Sequence, residues 1–207
     1  MTIIALAGNK GGSGKTTLAI NLAGVLVRRG RVTLLDADPQ GSCVHWHTAT
    51  DGNAPVSVLA AADDVTAAVE ASRDDSDYLL IDCPPAVDAP QTLAALALAD
   101  KVLIPVLPSP LDIWAGLQVG PVLQQVQQGN PLLQALMVIN QLEPRTKLSQ
   151  LARQALDELG LPTATTALRR RMAYRRAMLE GRSVSDLGVR GAEAVREIEQ
   201  LTEELVN

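Results

Sequence analysis

Five short apolar runs punctuate the first 140 residues: TIIALA at 2–7, RVTLLD at 31–36, DYLLID at 77–82, KVLIPV at 101–106 and ALMVIN at 135–140. Within each run the apolar residues are continuous rather than alternating. That is the pattern of strands covered on both faces. Elsewhere the apolar positions recur with helical spacing, which predicts helices near 15–29, 63–71, 90–98, 111–127, 147–159, 169–180 and 190–205. Strand and helix alternate, so the expected fold is α/β, a mostly parallel central β-sheet with helices on both faces. Crossovers should be right-handed. No repeat, linker or composition break divides the chain, and residues 1–207 are expected to form a single domain.

Composition refines this picture. Hydrophobic residues make up 47% of the 207, yet there is no Phe and only two Trp and two Tyr. The core must therefore be built from Ala, Leu, Val and Ile, which suits helices on a parallel sheet. The net charge of −5 argues against a polyanion-binding surface spread over the molecule, so any nucleic-acid contact must come from a local cluster. Cys43 and Cys83 lack metal-type spacing and are expected to be buried free thiols. No run is long enough to span a membrane, and no basic-then-apolar leader opens the chain, so a soluble, cytoplasmic protein is expected.

The strongest chemical signal is GNKGGSGKTT, residues 8–17. It follows the first apolar run and precedes a predicted helix. Gly14, Lys15 and Thr16 fit the end of the phosphate-binding template G-x-x-x-x-G-K-[ST], but its first glycine would fall on Asn9. A second lysine, Lys10, precedes two further glycines, Gly11 and Gly12. Glycines let backbone N–H groups turn inward, and a helix N-terminus favours an anion. Gly11, Gly12, Ser13, Gly14, Lys15, Thr16 and Thr17 are thus the expected nucleotide-binding loop. Lys15 would reach the β- and γ-phosphates and the Thr16 hydroxyl would ligate Mg²⁺. Asp36 and Asp82 end two predicted strands, and Asp38 lies two residues beyond the first. Ligands of open α/β sheets bind at the carboxyl ends of strands, where carboxylates can hold Mg²⁺ directly or through water.

Together K-G-G-x-G-K-T-T at 10–17, D-x-D-P-Q at 36–40 and the apolar run ending in Asp82 resemble the deviant Walker ATPases. Among these the chain is similar to the ParA partition ATPases, in motif order and over nearly its whole length. The resemblance implies a P-loop ATPase using ATP and Mg²⁺, with hydrolysis weak until stimulated. It implies that Lys10 contacts phosphate across a nucleotide-sandwich homodimer. A second cation there would offset charge that builds during phosphoryl transfer. It further implies that Asp38 positions the attacking water, and that Asp36 and Asp82 serve the metal, mostly through water. PVLPSPLD at 105–112 has Pro105, Pro108 and Pro110, which predict a stiff non-helical connection; it resembles the segment that lies near nucleotide and subunit contact in small partition ATPases, and an ordinary strand exit capped by Asp112 is the equal alternative. By the same resemblance Asn140, which ends the last predicted strand, would recognise adenine.

LRRRMAYRRAMLEGR places six arginines between 169 and 182, a third of the 18 Lys+Arg in the chain. On a helix, Leu168, Met172 and Leu179 would share a packing stripe and leave the arginines outside. Such a concentration in an acidic protein points to phosphate binding, and without aromatic interleaving the contact should be independent of DNA sequence. Arg169, Arg170, Arg171, Arg175 and Arg176 are the expected DNA-binding residues. ParA-like proteins bind DNA this way as the ATP-bound dimer, and a cognate partition or adaptor protein stimulates hydrolysis and release.

Other members of the superfamily fit less well. The tail AEAVREIEQLTEELVN is acidic, unlike the basic membrane helix of MinD-like regulators. The two cysteines do not sit where the nitrogenase iron protein holds its cluster. The first run begins at Thr2, so no N-terminal helix-turn-helix domain is expected. The expected function is segregation of plasmid or chromosome DNA by a nucleoid-associated ATPase. The alternatives are positioning of a protein organelle such as the carboxysome, or of chemoreceptor clusters, and a nucleotide-gated segregation polymer.

Overall fold

The computed structural model describes residues 1–50, 54–144, 146–158, 160 and 162–206. The elements run β1 (Thr2–Leu6), α1 (Lys15–Leu26), β2 (Val32–Asp36), α2 (Ser42–Thr48), β3 (Ser57–Ala60), α3 (Val65–Ser72), β4 (Tyr78–Asp82), α4 (Pro90–Leu98), β5 (Lys101–Val106), α5 (Pro110–Leu117), α6 (Val119–Gly129), β6 (Gln134–Ile139), α7 (Lys147–Glu158), α8 (Met172–Leu179), a 3₁₀ helix (Val184–Gly191) and α9 (Ala192–Val206). The six strands form one parallel sheet in the order β3-β2-β4-β1-β5-β6. All five predicted strands are present. The predicted helix over 147–159 is α7, and residue 159 lies outside the described residues.

The continuous apolar runs exist because helices cover both faces of the sheet. Ile4, Leu6, Leu34, Leu80 and Leu103 point to one side, against α1, α2, α8 and α9. Ile3, Ala5, Leu35, Leu79, Ile81 and Ile104 point to the other, against α3 to α7. Each fully buried Leu or Ile contributes about 1.5–3 kcal/mol. Helix α1 is buried from Leu18 to Leu26, so it lacks a polar face. Its Asn21 is held inside by donating to Thr17 O at 2.6 Å and accepting from Val184 N at 2.8 Å. No described helix is long and apolar enough to cross a membrane.

Several predicted boundaries shift. The span 111–127 is two helices, broken at Gln118. Pro105 lies inside β5 and Pro110 opens α5, so the non-helical connection shrinks to residues 107–109. Residues 169–171 are not helical: Arg169 bridges to Leu142 and α8 begins at Met172. This overturns the expected packing stripe. Leu168 is buried, but Met172 and Leu179 are 74% and 89% exposed, and Tyr174 and Ala177 face the core instead. The expected helix over 190–205 begins only at Ala192, after the 3₁₀ segment and its positive-φ Gly188.

The topology fixes the site. From β1 the chain winds through β2, β3 and β4 on one side, then crosses to β5 and β6 on the other. Crevices at such reversals receive ligands, at the carboxyl ends of the strands. There Leu6 is level with Asp82, and Asp82 with Asp36.

Candidate functional site

The loop between β1 and α1 wraps over these strand ends. Gly14 has φ +97°, and a Cβ on it would stand 2.3 Å from Asn140 Nδ2, so both backbone and space require glycine. Asn140 donates from Nδ2 to Ser13 O at 2.7 Å, and Gln141 donates from Nε2 to Gly12 O at 3.4 Å. The end of β6 thus braces the loop. Asn140 is 7% exposed and its amide N–H is engaged by the loop backbone. Asn9, at the position of the absent glycine, accepts from Val87 N at 2.9 Å and ties the loop to the segment after β4.

The polar residues converge beneath the loop. Lys15 is buried and donates to Lys10 O at 3.1 Å. Burial pushes its ammonium pKa down, against the attraction of Asp82. Thr16 donates to Asp82 Oδ2 at 2.6 Å, and the Cys43 thiol donates to the same oxygen at 3.3 Å. Burial pushes the Asp82 carboxyl up to about 6. Asp36 Oδ2 accepts from Cys43 N and Val44 N at 2.8 and 3.0 Å, capping α2. Burial also raises the Asp36 pKa. The second oxygens, Asp36 Oδ1 and Asp82 Oδ1, are buried without a hydrogen-bond donor. Two orphaned carboxylate oxygens beside a threonine hydroxyl fit a hard cation with bound water. Asp38 accepts from Gln40 N at 2.9 Å and faces the cleft above.

That cleft has a volume of about 830 Å³. One wall is Gly11, Gly12 and Gly14 to Leu18, with Asp38, Gln40 and Ser42. The opposite wall holds Arg169, Arg170, Arg171, Tyr174, Arg175, Met178 and Leu179. Four of the five predicted DNA-binding arginines therefore line the same cavity as the phosphate loop, and Arg176 does not. Most of them are ion-paired. Arg171 meets Glu193 and donates from Nη2 to Glu197 Oε1 at 2.7 Å, which raises the guanidinium pKa. Arg169 Nε lies 3.8 Å from Glu197, Arg170 Nη1 2.7 Å from Glu143, and Arg176 Nε 2.7 Å from Glu180.

Lys10 points elsewhere. Its Nζ lies 3.1 Å from Asp112 Oδ1, in a separate small crevice shared with α5. Ser109 caps α5, its Oγ accepting from Asp112 N at 3.2 Å, and the Asp112 carboxylate holds the second lysine. Cys43 is a buried free thiol as expected, and it also touches Asp82. Neither contact has a sequence signal, because each joins residues far apart in the chain.

Residues 4–184 match the CobQ/CobB/MinD/ParA nucleotide binding domain family. Over 206 residues the chain is 41% identical to the Maintenance of carboxysome distribution protein A of Halothiobacillus neapolitanus, covering 98% of this chain and 95% of that protein. It is 38% identical over 184 residues to the chromosome-partitioning ATPase Soj of Thermus thermophilus, covering 71% of this chain and 72% of that one. Among solved structures, a Cyanothece McdA variant in complex with ATP superposes with a TM-score of 0.78 at 19% identity, over 98% of this chain and 95% of that chain. At that identity the likeness is one of fold.

Proposed function

The chain belongs to the CobQ/CobB/MinD/ParA nucleotide-binding family and is an ATPase, and from that premise we propose that it positions a protein organelle of the carboxysome type. The observation that carries this reading is the 41% identity along nearly the whole length of a carboxysome-distribution protein. Segregation of plasmid or chromosome DNA, the first expectation from sequence, rests on a likeness that covers 71% of the chain.

In this reading residues 1–207 act as one P-loop ATPase domain. The N–H groups of Gly11, Gly12, Ser13, Gly14, Lys15, Thr16 and Thr17 cradle the phosphates of ATP, with Lys15 beneath them. Thr16, Asp36 and Asp82 would hold Mg²⁺, directly or through water, and the bound ion would supply positive charge at the phosphate oxygens. The two orphaned carboxylate oxygens support that assignment. Asp38, facing the cleft, orients the attacking water. Lys10 serves the nucleotide of a second copy in an ATP-dependent homodimer; its side chain already points away from the cleft of its own chain. Asn140 fixes the loop at the edge of the nucleotide site.

Nonspecific DNA contact falls to Arg169, Arg170, Arg171, Arg175 and Arg176, at and beside the mouth of the cleft. DNA and nucleotide then share a wall, which gives a physical route by which ATP controls retention on the nucleoid. A cognate adaptor on the cargo stimulates hydrolysis and releases the dimer. The test is in the cell of origin. A fluorescent fusion should follow the nucleoid, and deletion of the gene should cluster the organelles. Even organelle spacing together with increased plasmid or chromosome loss would assign the cargo to DNA instead.

A further inference from the structure

The arginine cluster does not act as a unit, because the helix divides it. On α8 and its N-cap, positions 171, 175, 178 and 179 share one face at the i, i+4, i+7 and i+8 spacing, and all four line the cleft. Arg176 turns off that face and pairs with Glu180 one helical turn on. Arg175 alone therefore carries a cation of α8 itself to the phosphate loop side.

Its pairing is also distinctive. Arg169, Arg170, Arg171 and Arg176 each meet a carboxylate. Among the described residues Arg175 has no ion-pair or hydrogen-bond partner, although the helix carrying it is anchored by the buried Tyr174 and Ala177. Among the described residues the cleft has no second unpaired cation. Lys10 is engaged by Asp112 outside it, and Lys15 lies under the loop facing Asp82 and Asp38. ATP with one Mg²⁺ still carries about two negative charges, and a guanidinium matches phosphate oxygens with paired donors.

We propose that Arg175 is a nucleotide-contacting residue, its guanidinium meeting the phosphate–ribose part of the ATP held by the phosphate loop of the same chain. This rests on the ATP-site reading above. It removes Arg175 from the DNA surface and makes α8 the wall through which nucleotide occupancy is sensed by the neighbouring DNA-facing arginines.

The test is nucleotide affinity without DNA, read with fluorescent mant-ATP and Mg²⁺ on the full chain, for wild type, Arg175→Ala, Arg175→Lys and Lys15→Ala. Arg175 is exposed and unpaired, so its variants should melt like wild type. Arg175→Ala should weaken mant-ATP binding about tenfold and flatten its salt dependence, with Arg175→Lys recovering part of the loss. Arg73→Ala, at an exposed arginine outside the cleft, should leave mant-ATP binding unchanged. Wild-type binding that Lys15→Ala abolishes but Arg175→Ala leaves intact overturns this inference alone, and a loss of DNA retention in the same variant would assign Arg175 to DNA. Failure of the wild type itself to bind mant-ATP overturns the ATP-site reading, and this inference with it.

Discussion

Lys10 and Asp112 form an ion pair, Nζ to Oδ1 at 3.1 Å, that fastens the side chain of the second loop lysine to the first turn of α5. The backbone of the same lysine accepts from Lys15, so Lys10 links the cleft to α5. A lysine that serves another subunit must first leave Asp112. The pair is partly exposed, and such pairs are worth up to about 1 kcal/mol. Asp112→Asn keeps an oxygen to accept from Ser109 but removes the charge. ATP-dependent dimerisation should then tighten, by up to about fivefold. Sedimentation across a concentration series with ATP reads the shift. Unchanged or weaker dimerisation would mean that the pair does not restrain Lys10.

The Asp38 carboxylate accepts from Gln40 N and otherwise faces the cleft. Its removal should not disturb the fold by more than about 0.5 kcal/mol. Asp38→Ala should bind ATP and dimerise as wild type does while turnover falls by about 10²-fold or more. Phosphate release with saturating ATP measures this. Normal turnover would remove Asp38 from the water-positioning role.

These roles were legible to different degrees. The five long strands and the phosphate loop announce themselves locally, through continuous apolar runs and glycine spacing. Strand β3 does not, because it is a four-residue edge strand with three exposed positions, so no apolar run marks it. The stripe of Leu168, Met172 and Leu179 failed because a bridge to Leu142 holds Arg169 extended and delays the helix to Met172. Asn9, where the general template has glycine, accepts from Val87 N, a contact between residues far apart in the chain. The pairs Lys10–Asp112 and Arg171–Glu197 join elements placed together only by the sheet order and the docking of α9, and no local pattern encodes them.

Asp82 gives a prediction in pH. Its carboxyl is raised from 3.8 to about 6 by burial. The folded chain therefore binds this proton more tightly than the unfolded chain, so the contribution of Asp82 to stability is greatest below about pH 4 and is lost as pH rises through 6. A shift of about two units corresponds to about 3 kcal/mol. Without Mg²⁺, Asp82→Asn should be more stable than wild type at pH 7.5 by up to that amount, with the gap closing between pH 6 and 4. Urea unfolding across that range checks it. A gap independent of pH would mean that Asp82 titrates normally.

Glu197 tests the DNA surface. It is 9% exposed and accepts from Arg171 Nε and Nη2 and from Arg169 N. Its charge neutralises the two arginines best placed beside the cleft mouth. Glu197→Gln should cost about 2 kcal/mol of stability, since hydrogen bonds to charged groups contribute about 1.5–3 kcal/mol. It should also free positive charge for DNA phosphates. With ATP present, binding to arbitrary duplex DNA should strengthen at low salt. The slope of log K against log salt should steepen by about 0.9 for each arginine that gains a phosphate. Measured below its melting temperature, a variant whose affinity and slope match wild type would place DNA contact away from Arg169 and Arg171.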